Sequence, residues 1–211
     1  MKVHVDISMS LDGYVAGPSP SLEEPLGRGG QGLHEWLRSL AGWRAQHGLE
    51  GGTTGPEDEL REEASSAVRA VVMGRRMFSG GSGPWEGDPN AGGWWGDEPP
   101  FRLPVFVVTH HPREPVSFAN GTTFTFVTGG VGAALADAAA VAGEGVVGLA
   151  GGAEVIQQAL SESAVDRLRI HLVPVLLGQG TRLLDGVPPR GLKLDGVVAS
   201  DAVTHLTYRL T

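Results

Sequence analysis

From residue 3 to residue 11, apolar side chains fall on every second position. Val3, Val5, Ile7, Met9 and Leu11 share one face, and His4, Asp6, Ser8 and Ser10 share the other. A period of two is that of a strand with one packed and one polar face. The strand ends at Asp12-Gly13, a turn pair, after which Tyr14-Val15-Ala16-Gly17 resumes an extended path. Residues 17–32 are rich in Gly, Pro and Ser and predict a loop. The period then changes: Leu33, Trp36, Leu37 and Leu40 recur at helical spacing and predict a short helix over 33–40. Residues 42–58 read mostly as loop, and a second helix is predicted over 60–68.

Short apolar runs follow. Ala70-Val71-Val72-Met73, Val105-Phe106-Val107-Val108, Phe124-Thr125-Phe126-Val127 and Val146-Val147-Gly148-Leu149 read as strands. A helix is predicted over 131–142, and another after Gly152 carries Val155, Ile156, Ala159 and Leu160 on one face. Residues 166–177 alternate again, with Leu168, Ile170 and Leu172 opposed to Arg167, Arg169 and His171. Pro174 cannot donate to a ladder, which predicts a bulge or edge there, and Gly178-Gln179-Gly180 closes the strand. A last strand sets Leu206, Tyr208 and Leu210 against His205, Thr207 and Arg209, pairing antiparallel nearby. Strands alternating with helices predict an α/β fold with a mainly parallel sheet. No internal repeat or linker divides the chain, so one domain is expected over 1–211.

Composition narrows the chemistry. Among 211 residues there is no cysteine, which excludes disulfides, thiolate metal sites and a cysteine nucleophile. No metal site is expected. The formal net charge of -8 argues against a nucleic-acid surface, which needs a basic face, but not against local binding of an anionic cofactor. No apolar run is long enough to span a bilayer. The amino terminus enters an alternating pattern directly, without the apolar stretch of a signal peptide, so cytoplasmic residence is expected.

Three strand ends carry phosphate-compatible groups. After strand 146–149 comes Gly151-Gly152 and then a helix, so the backbone can approach a ligand closely and present unpaired N–H groups to it. The bland alternative is a tight connection. After strand 70–73 comes Gly74-Arg75-Arg76-Met77-Phe78, whose arginines suit a doubly charged group or, alternatively, are solvated surface charges. After strand 105–108 comes Thr109-His110-His111-Pro112-Arg113. In open α/β sheets ligands bind beyond the carboxyl ends of strands, and three such ends predict a dinucleotide site. Residues 79–103 form a long Gly- and Pro-rich segment with Trp85, Trp94 and Trp95, which reads as a binding lid and, compatibly, as a loop pinned to the body by its tryptophans.

Taken in order, these motifs resemble the dihydrofolate reductase-like superfamily, and within it the reductase domain of riboflavin biosynthesis and its stand-alone relatives. The carrying segments are Ser10-Leu11-Asp12-Gly13-Tyr14-Val15-Ala16-Gly17, Val72-Met73-Gly74-Arg75-Arg76-Met77-Phe78, Val107-Val108-Thr109, Gly148-Leu149-Ala150-Gly151-Gly152-Ala153-Glu154 and Pro174-Val175-Leu176-Leu177-Gly178-Gln179-Gly180. The resemblance implies a three-layer sandwich, a mixed, mostly parallel sheet flanked by helices, with NADPH across the strand ends. By the family's pattern Gly74, Arg75, Arg76 and Met77 would hold phosphates. Thr109, His110 and His111 would meet the adenosine ribose and its 2′-phosphate. Gly151, Gly152, Ala153, Glu154 and Val155 would cradle the pyrophosphate, and Val15 and Ala16 would border the nicotinamide. A cationic cluster of Arg75, Arg76 and Arg113 favours NADPH over NADH.

The implied activity is an NADPH-dependent reduction of C=N or C=O in a small pterin-, pyrimidine- or flavin-related molecule, similar to 5-amino-6-(5-phosphoribosylamino)uracil reductase. The alternatives are a nucleotide-binding protein of the same fold without catalysis, and dihydrofolate reductase proper. Asp12 is the candidate proton donor, its alternative being a cap of the Asp-Gly turn. His34 and Glu35 stand in the region of the first helix, where dihydrofolate reductases carry a substrate-binding acid. With no cysteine among these residues, the zinc deaminase that the riboflavin branch often carries is not expected within them. The likeness extends to a homodimer, for which the sequence shows no interface signal.

Overall fold

The computed structural model describes residues 1–21 and 23–211; Leu22, within the loop predicted over 17–32, lies outside the described residues. In chain order the strands and helices begin with β1 (Lys2–Ser10), β2 (Tyr14–Ala16), a 3-10 turn (Gly30–His34), α1 (Glu35–Arg38), α2 (Ala41–Gln46) and α3 (Pro56–Ala67). They continue with β3 (Val68–Gly74), α4 (Arg75–Ser79), β4 (Pro104–Val108), β5 (Val116–Ser117), β6 (Thr123–Val127) and α5 (Gly130–Ala142). Then come β7 (Val146–Gly151), α6 (Ala153–Ser161), β8 (Arg167–Val173), β9 (Thr181–Arg182), β10 (Leu192–Ala199) and β11 (Thr204–Leu210). The result is an α/β fold with a mixed, mostly parallel sheet flanked by helices.

The chain forms two compact units, and β1 runs from one into the other at Val5–Asp6. The first unit holds residues 1–5, 68–166 and 186–188. Its strands follow the order β1-β7-β3-β4-β6-β5, parallel except for the short β5, which pairs antiparallel with β6. Parallel strands are covered on both faces, which is why Val71, Val72, Met73, Val105 and Val107 form near-continuous apolar runs and are all buried. Helix α5 turns Val131, Ala134, Leu135 and Ala138 inward, and α6 turns Val155, Ile156, Ala159 and Leu160 inward.

The tryptophan-rich segment belongs to this unit and has no regular element between Gly80 and Leu103. Trp85, Trp95 and Phe101 pack against the buried cluster of Phe78, Phe124 and Phe126. Edge-to-face contacts, Trp85 to Phe126 at 4.9 Å and Trp95 to Phe101 at 4.9 Å, set the ring geometry. Of the two readings of this segment, anchoring is what these contacts perform.

The second unit holds residues 6–67, 167–185 and 189–211. Its strand order is β10-β11-β8-β1, with β11 antiparallel to both β8 and β10, and β2 pairs separately with β9. Leu33, Trp36 and Leu40 pack with Val173 and Val203 to make its apolar core. The segment 42–58, read mostly as loop, is non-helical over 47–55 and carries helix at its two ends, α2 and the start of α3. Both sides of β8 are buried, Arg169 and His171 as well as Leu168 and Ile170, and His205 of β11 is buried too. No helix of the described residues is long and apolar enough to cross a membrane.

Candidate functional site

Strands β7, β3 and β4 are parallel neighbours, and the register pairs Met73 with Gly151 and Gly74 with Val108. Their carboxyl ends are therefore level. A Cβ added at Gly74 would lie 3.0 Å from Val155 Cγ2 and 3.6 Å from Gly152 N, so the β3 and β7 turns touch through backbone. Gly151 has φ +121°, a conformation that side-chain-bearing residues rarely adopt. Gly152 differs: it is the N-cap of α6 at φ -65°, and no atom lies within 4 Å of the Cβ it lacks. The Gly151–Gly152 peptide is cis. Helix α6 has no side-chain cap, so its first N–H groups and positive dipole end face that open space. This is a backbone cradle sized and charged for a phosphate group.

The arginines divide. Arg76 is 65% exposed and pairs at 3.1 Å with Glu154, itself exposed on the first turn of α6, so its guanidinium lies at the mouth of the cradle and is free to exchange partners. Arg75, expected to share the phosphates, is turned inward and only 6% exposed. Its guanidinium donates to Asp88 at 2.5 Å and to Ser79 Oγ, and lies 3.7 Å over the Trp85 ring. Burial pushes the Asp88 carboxyl up, but the bonds from Arg75 and Ser79 outweigh it and hold the pKa below the usual value. Arg113 is likewise committed: it donates to the Ala91 carbonyl and sits over Trp85 and Phe126. The partners that draw both arginines inward come from the 80–103 segment, which no local pattern connects to them. Helix α4 is a single turn, too short to add a dipole of its own.

The remaining expected residues take these places. Thr109 is buried, its N–H bonded to Val127 O and its hydroxyl accepting from His111 N. His110 is exposed, and the His111 carbonyl accepts from Trp85 Nε1. Met77 lies beside Gly151, whose absent Cβ would sit 3.7 Å from its sulfur. Ala153 and Val155 are buried inside α6. Val15 and Ala16 belong to the second unit, where they form part of β2.

Asp12 also lies in the second unit. Its carboxylate accepts from Ser10 Oγ at 2.6 Å, Gly178 N at 2.7 Å and Leu177 N at 3.1 Å. The Ser10 bond, which outweighs the opposing effect of burial, lowers its pKa to about 2 with help from the two amides. A carboxyl so placed is ionised at neutral pH and ties two turns together. The geometry thus favours the capping alternative over a proton donor.

Sequence reasoning missed a polar chain in the second unit that runs from the exposed Asp6 to the buried Arg169, His171 and His205. Asp6 on β1 accepts from His171 Nε2 and from Arg169 Nη1 at 3.3 Å; His171 Nδ1 lies 2.6 Å from His205 Nδ1. Trp36 packs on both imidazoles, 4.6 and 5.0 Å between ring centres, and donates to Ser8 Oγ. Helix α3 closes over this face: its Leu60 carbonyl accepts from Arg169, and Glu57 and Glu63 stand 3.7 Å from His205 and Arg167. Burial would raise the Asp6 carboxyl, but His171, Arg169 and Arg167 hold it below the usual value. Burial and the facing His171 push His205 down to about 4. His34, near the same cluster, is pushed down to about 4 chiefly by burial. The available signal was the alignment of Asp6, Ser8 and Ser10 with one face of β1, and of Arg169 and His171 with one face of β8. Alternation alone does not say that such a polar face is covered. Among the described residues no group of three or more His, Asp or Glu could hold a metal ion.

The model of the RibD C-terminal domain matches residues 1–206, across both units. Among solved structures, a Shewanella sp. PV-4 protein named for riboflavin biosynthesis superposes with a TM-score of 0.66 at 22% identity, over 100% of this chain and 99% of its own. The Thermotoga maritima diaminohydroxyphosphoribosylaminopyrimidine deaminase/5-amino-6-(5-phosphoribosylamino)uracil reductase gives 0.58 at 16% identity, over 100% of this chain and 56% of that one. Enterococcus faecalis dihydrofolate reductase, solved with NADP(H) and an inhibitor, gives 0.55 at 15% identity, over 99% and 96%. No curated protein matches. At these identities the structures establish a shared fold, and the family match does the rest: the chain belongs to the RibD C-terminal domain family.

Proposed function

We propose that this protein is an NADPH-dependent reductase that transfers hydride to C=N or C=O of a small pterin-, pyrimidine- or flavin-related molecule. The observation that carries the reading is the open cradle at Gly152, where an uncapped nine-residue helix faces space that no side chain fills. The donor set suits a pyrophosphate: backbone N–H groups of α6, the bare Gly74 and Gly151 backbone, and the exposed Arg76 guanidinium. When bound, a reduced nicotinamide supplies the hydride; the protein's part is to hold phosphates, orient the ring and exclude water.

Arg76 replaces the Arg75–Arg76 pair as the phosphate-binding side chain. Arg75 keeps Gly80 and its loop close to β3 by clasping Asp88 and Ser79. Asp12, ionised and bound to three donors, supports the turn that follows β1 rather than proton delivery.

Calorimetric titration with NADPH, repeated with NADH, tests the reading. Saturable NADPH binding with a preference over NADH is expected, followed by NADPH oxidation with a pterin or flavin acceptor. Binding of neither cofactor overturns the reductase. NADPH binding without turnover of any such acceptor would favour a nucleotide-binding protein of the same fold.

A further inference from the structure

The sheet of the second unit turns an apolar side outward at its edge. An antiparallel sheet with one wet face ordinarily packs its apolar side and leaves the polar side to water. Here the polar side of β8 and β11 is covered: Arg169, His171 and His205 are buried, and the Leu60 carbonyl of α3 accepts from Arg169. The register sets Leu192 of β10 opposite Leu210 of β11, Leu194 opposite Tyr208 and Val197 opposite Leu206, so these six side chains share the other side. Leu168 and Ile170 of β8 continue it and are buried. Toward β10 it opens. Leu206, Tyr208 and Leu210 are half-buried, and Leu192, Leu194 and Val197 are 43%, 52% and 52% exposed.

The local backbone keeps this face apolar. A bulge between Leu194 and Gly196 breaks the alternation of β10. Without the extra residue Val197 would fall on the side opposite Leu194; with it, Val197 rejoins Leu192 and Leu194. The charges go the other way: Asp195 is held by Arg209, and Lys193 stands opposite Arg209 in the register. None of the six outward side chains carries a charge. Strand β10 is also the last of the sheet, and charges such as Lys193 and Asp195 discourage a further strand from pairing at an edge. The face, not the edge, is thus the surface open to a partner.

We propose that this face binds the same face of a second copy of this chain, the two sheets stacking about a two-fold axis. Such an axis brings the face against itself. A face without charge then meets its copy with no like-charge contact, although the chain carries a net charge of -8. Sheets stack face to face about 10 Å apart with their inner side chains interdigitating, as rows of Leu, Val and Tyr can. The area is sufficient. The six side chains expose on the order of 400 Å² of apolar surface, the size at which a patch on a monomer marks an interaction site. Homodimer interfaces are about 65% apolar, so such a patch centres roughly 600 Å² per partner, or about 1,200 Å² in all, the lower bound of a stable interface. An interface at that bound gives a dimer in equilibrium with its monomer rather than a permanent one.

The face lies wholly in the second unit, and its test uses neither cofactor nor turnover, so it stands or falls apart from the reductase reading. Sedimentation of the full chain between roughly 1 and 200 μM should show a reversible monomer–dimer equilibrium with a dissociation constant in that range. Leu194→Lys and Val197→Lys, each counted twice across a two-fold axis, should each raise that constant by about tenfold or more. Lys193→Ser, on the opposite side of the same strand, should leave it unchanged. Leu194 and Val197 are both exposed, so the dilute variants should melt with the parent, and if one unfolds the other still decides. A chain that stays monomeric throughout overturns the proposal. So does a dimer that both lysine variants leave intact, or one that Lys193→Ser breaks as readily. Flotation with phosphatidylcholine vesicles is the companion measurement: a monomeric chain that floats through Leu194 and Val197 overturns the second copy in favour of a lipid surface.

Discussion

Arg75 and Arg76 are neighbours in the chain with opposite duties. A pair as enclosed as Arg75 and Asp88 is strongly destabilising to break from one side, because the remaining charge stays buried. Arg75→Ala should therefore cost about 3 kcal/mol in urea denaturation. Arg76→Ala, on an exposed pair, should cost less than about 1 kcal/mol. Their effects on cofactor should be reversed. Arg76→Ala should weaken NADPH and NADH alike by about tenfold, the loss of one charge-assisted bond to the pyrophosphate both carry; a loss confined to NADPH would move Arg76 from the pyrophosphate to the 2′-phosphate. The buried histidines make a second residue-scale prediction. His34 and His205 are pushed down from 6.5 to about 4 in the folded chain. Above pH 6.5 both states are neutral and neither residue affects stability. Between pH 6.5 and 4 the unfolded chain takes up protons that the folded chain refuses, so stability falls as pH falls. Denaturation midpoints measured at pH 7.5, 6 and 5 should decline in that order, and His205→Gln should flatten part of the decline.

At the scale of elements, the parts that sequence made legible are those whose burial agrees with local pattern. The apolar runs of β3, β4, β6 and β7 and the inward faces of α5 and α6 were all readable, because a parallel sheet buries whole strands. Strands β8 and β11 were readable as strands, but the burial of both faces of β8 was not, because alternation reports one packed face only. The polar side is covered by α3, whose Glu57, Leu60 carbonyl and Glu63 meet it. Strand β10 escaped notice because a bulge between Leu194 and Gly196 breaks its alternation. Helix α2 escaped because Ala41–Gln46 is short and buries none of its residues. The 80–103 segment is the clearest case of a long-range decision: its length signalled a lid or an anchored loop, and only the rings across the chain separate the two. If anchoring is its work, Trp95→Ala should destabilise the first unit by about 2–3 kcal/mol, somewhat under the range for fully buried tryptophans. Limited proteolysis should then cut first within 80–103. Unchanged stability would leave the segment no anchoring role.

For the whole molecule, the cofactor reading requires that binding at the cradle stabilise the folded chain by mass action, about 2.7 kcal/mol at a ligand concentration one hundred times the dissociation constant. Two glycines of the cradle separate this effect from simple damage. At Gly152 the backbone is one that alanine adopts, φ -65°, and a methyl group would enter open space. Gly152→Ala should fold normally, with an unliganded melting temperature within a degree or two of the parent, since a surface substitution away from packing is usually worth under about 0.5 kcal/mol. The same methyl group would occupy the cradle, so the thermal shift produced by NADPH should disappear. At Gly74 the added methyl group would meet Val155 Cγ2 at 3.0 Å. Gly74→Ala should therefore lower the stability of the unliganded protein first, by the order of 1–3 kcal/mol expected of overpacking, with a matching fall in melting temperature. If Gly152→Ala keeps the full NADPH shift, phosphate does not sit at the α6 terminus. The cofactor, if bound at all, must then be held through groups other than this cradle.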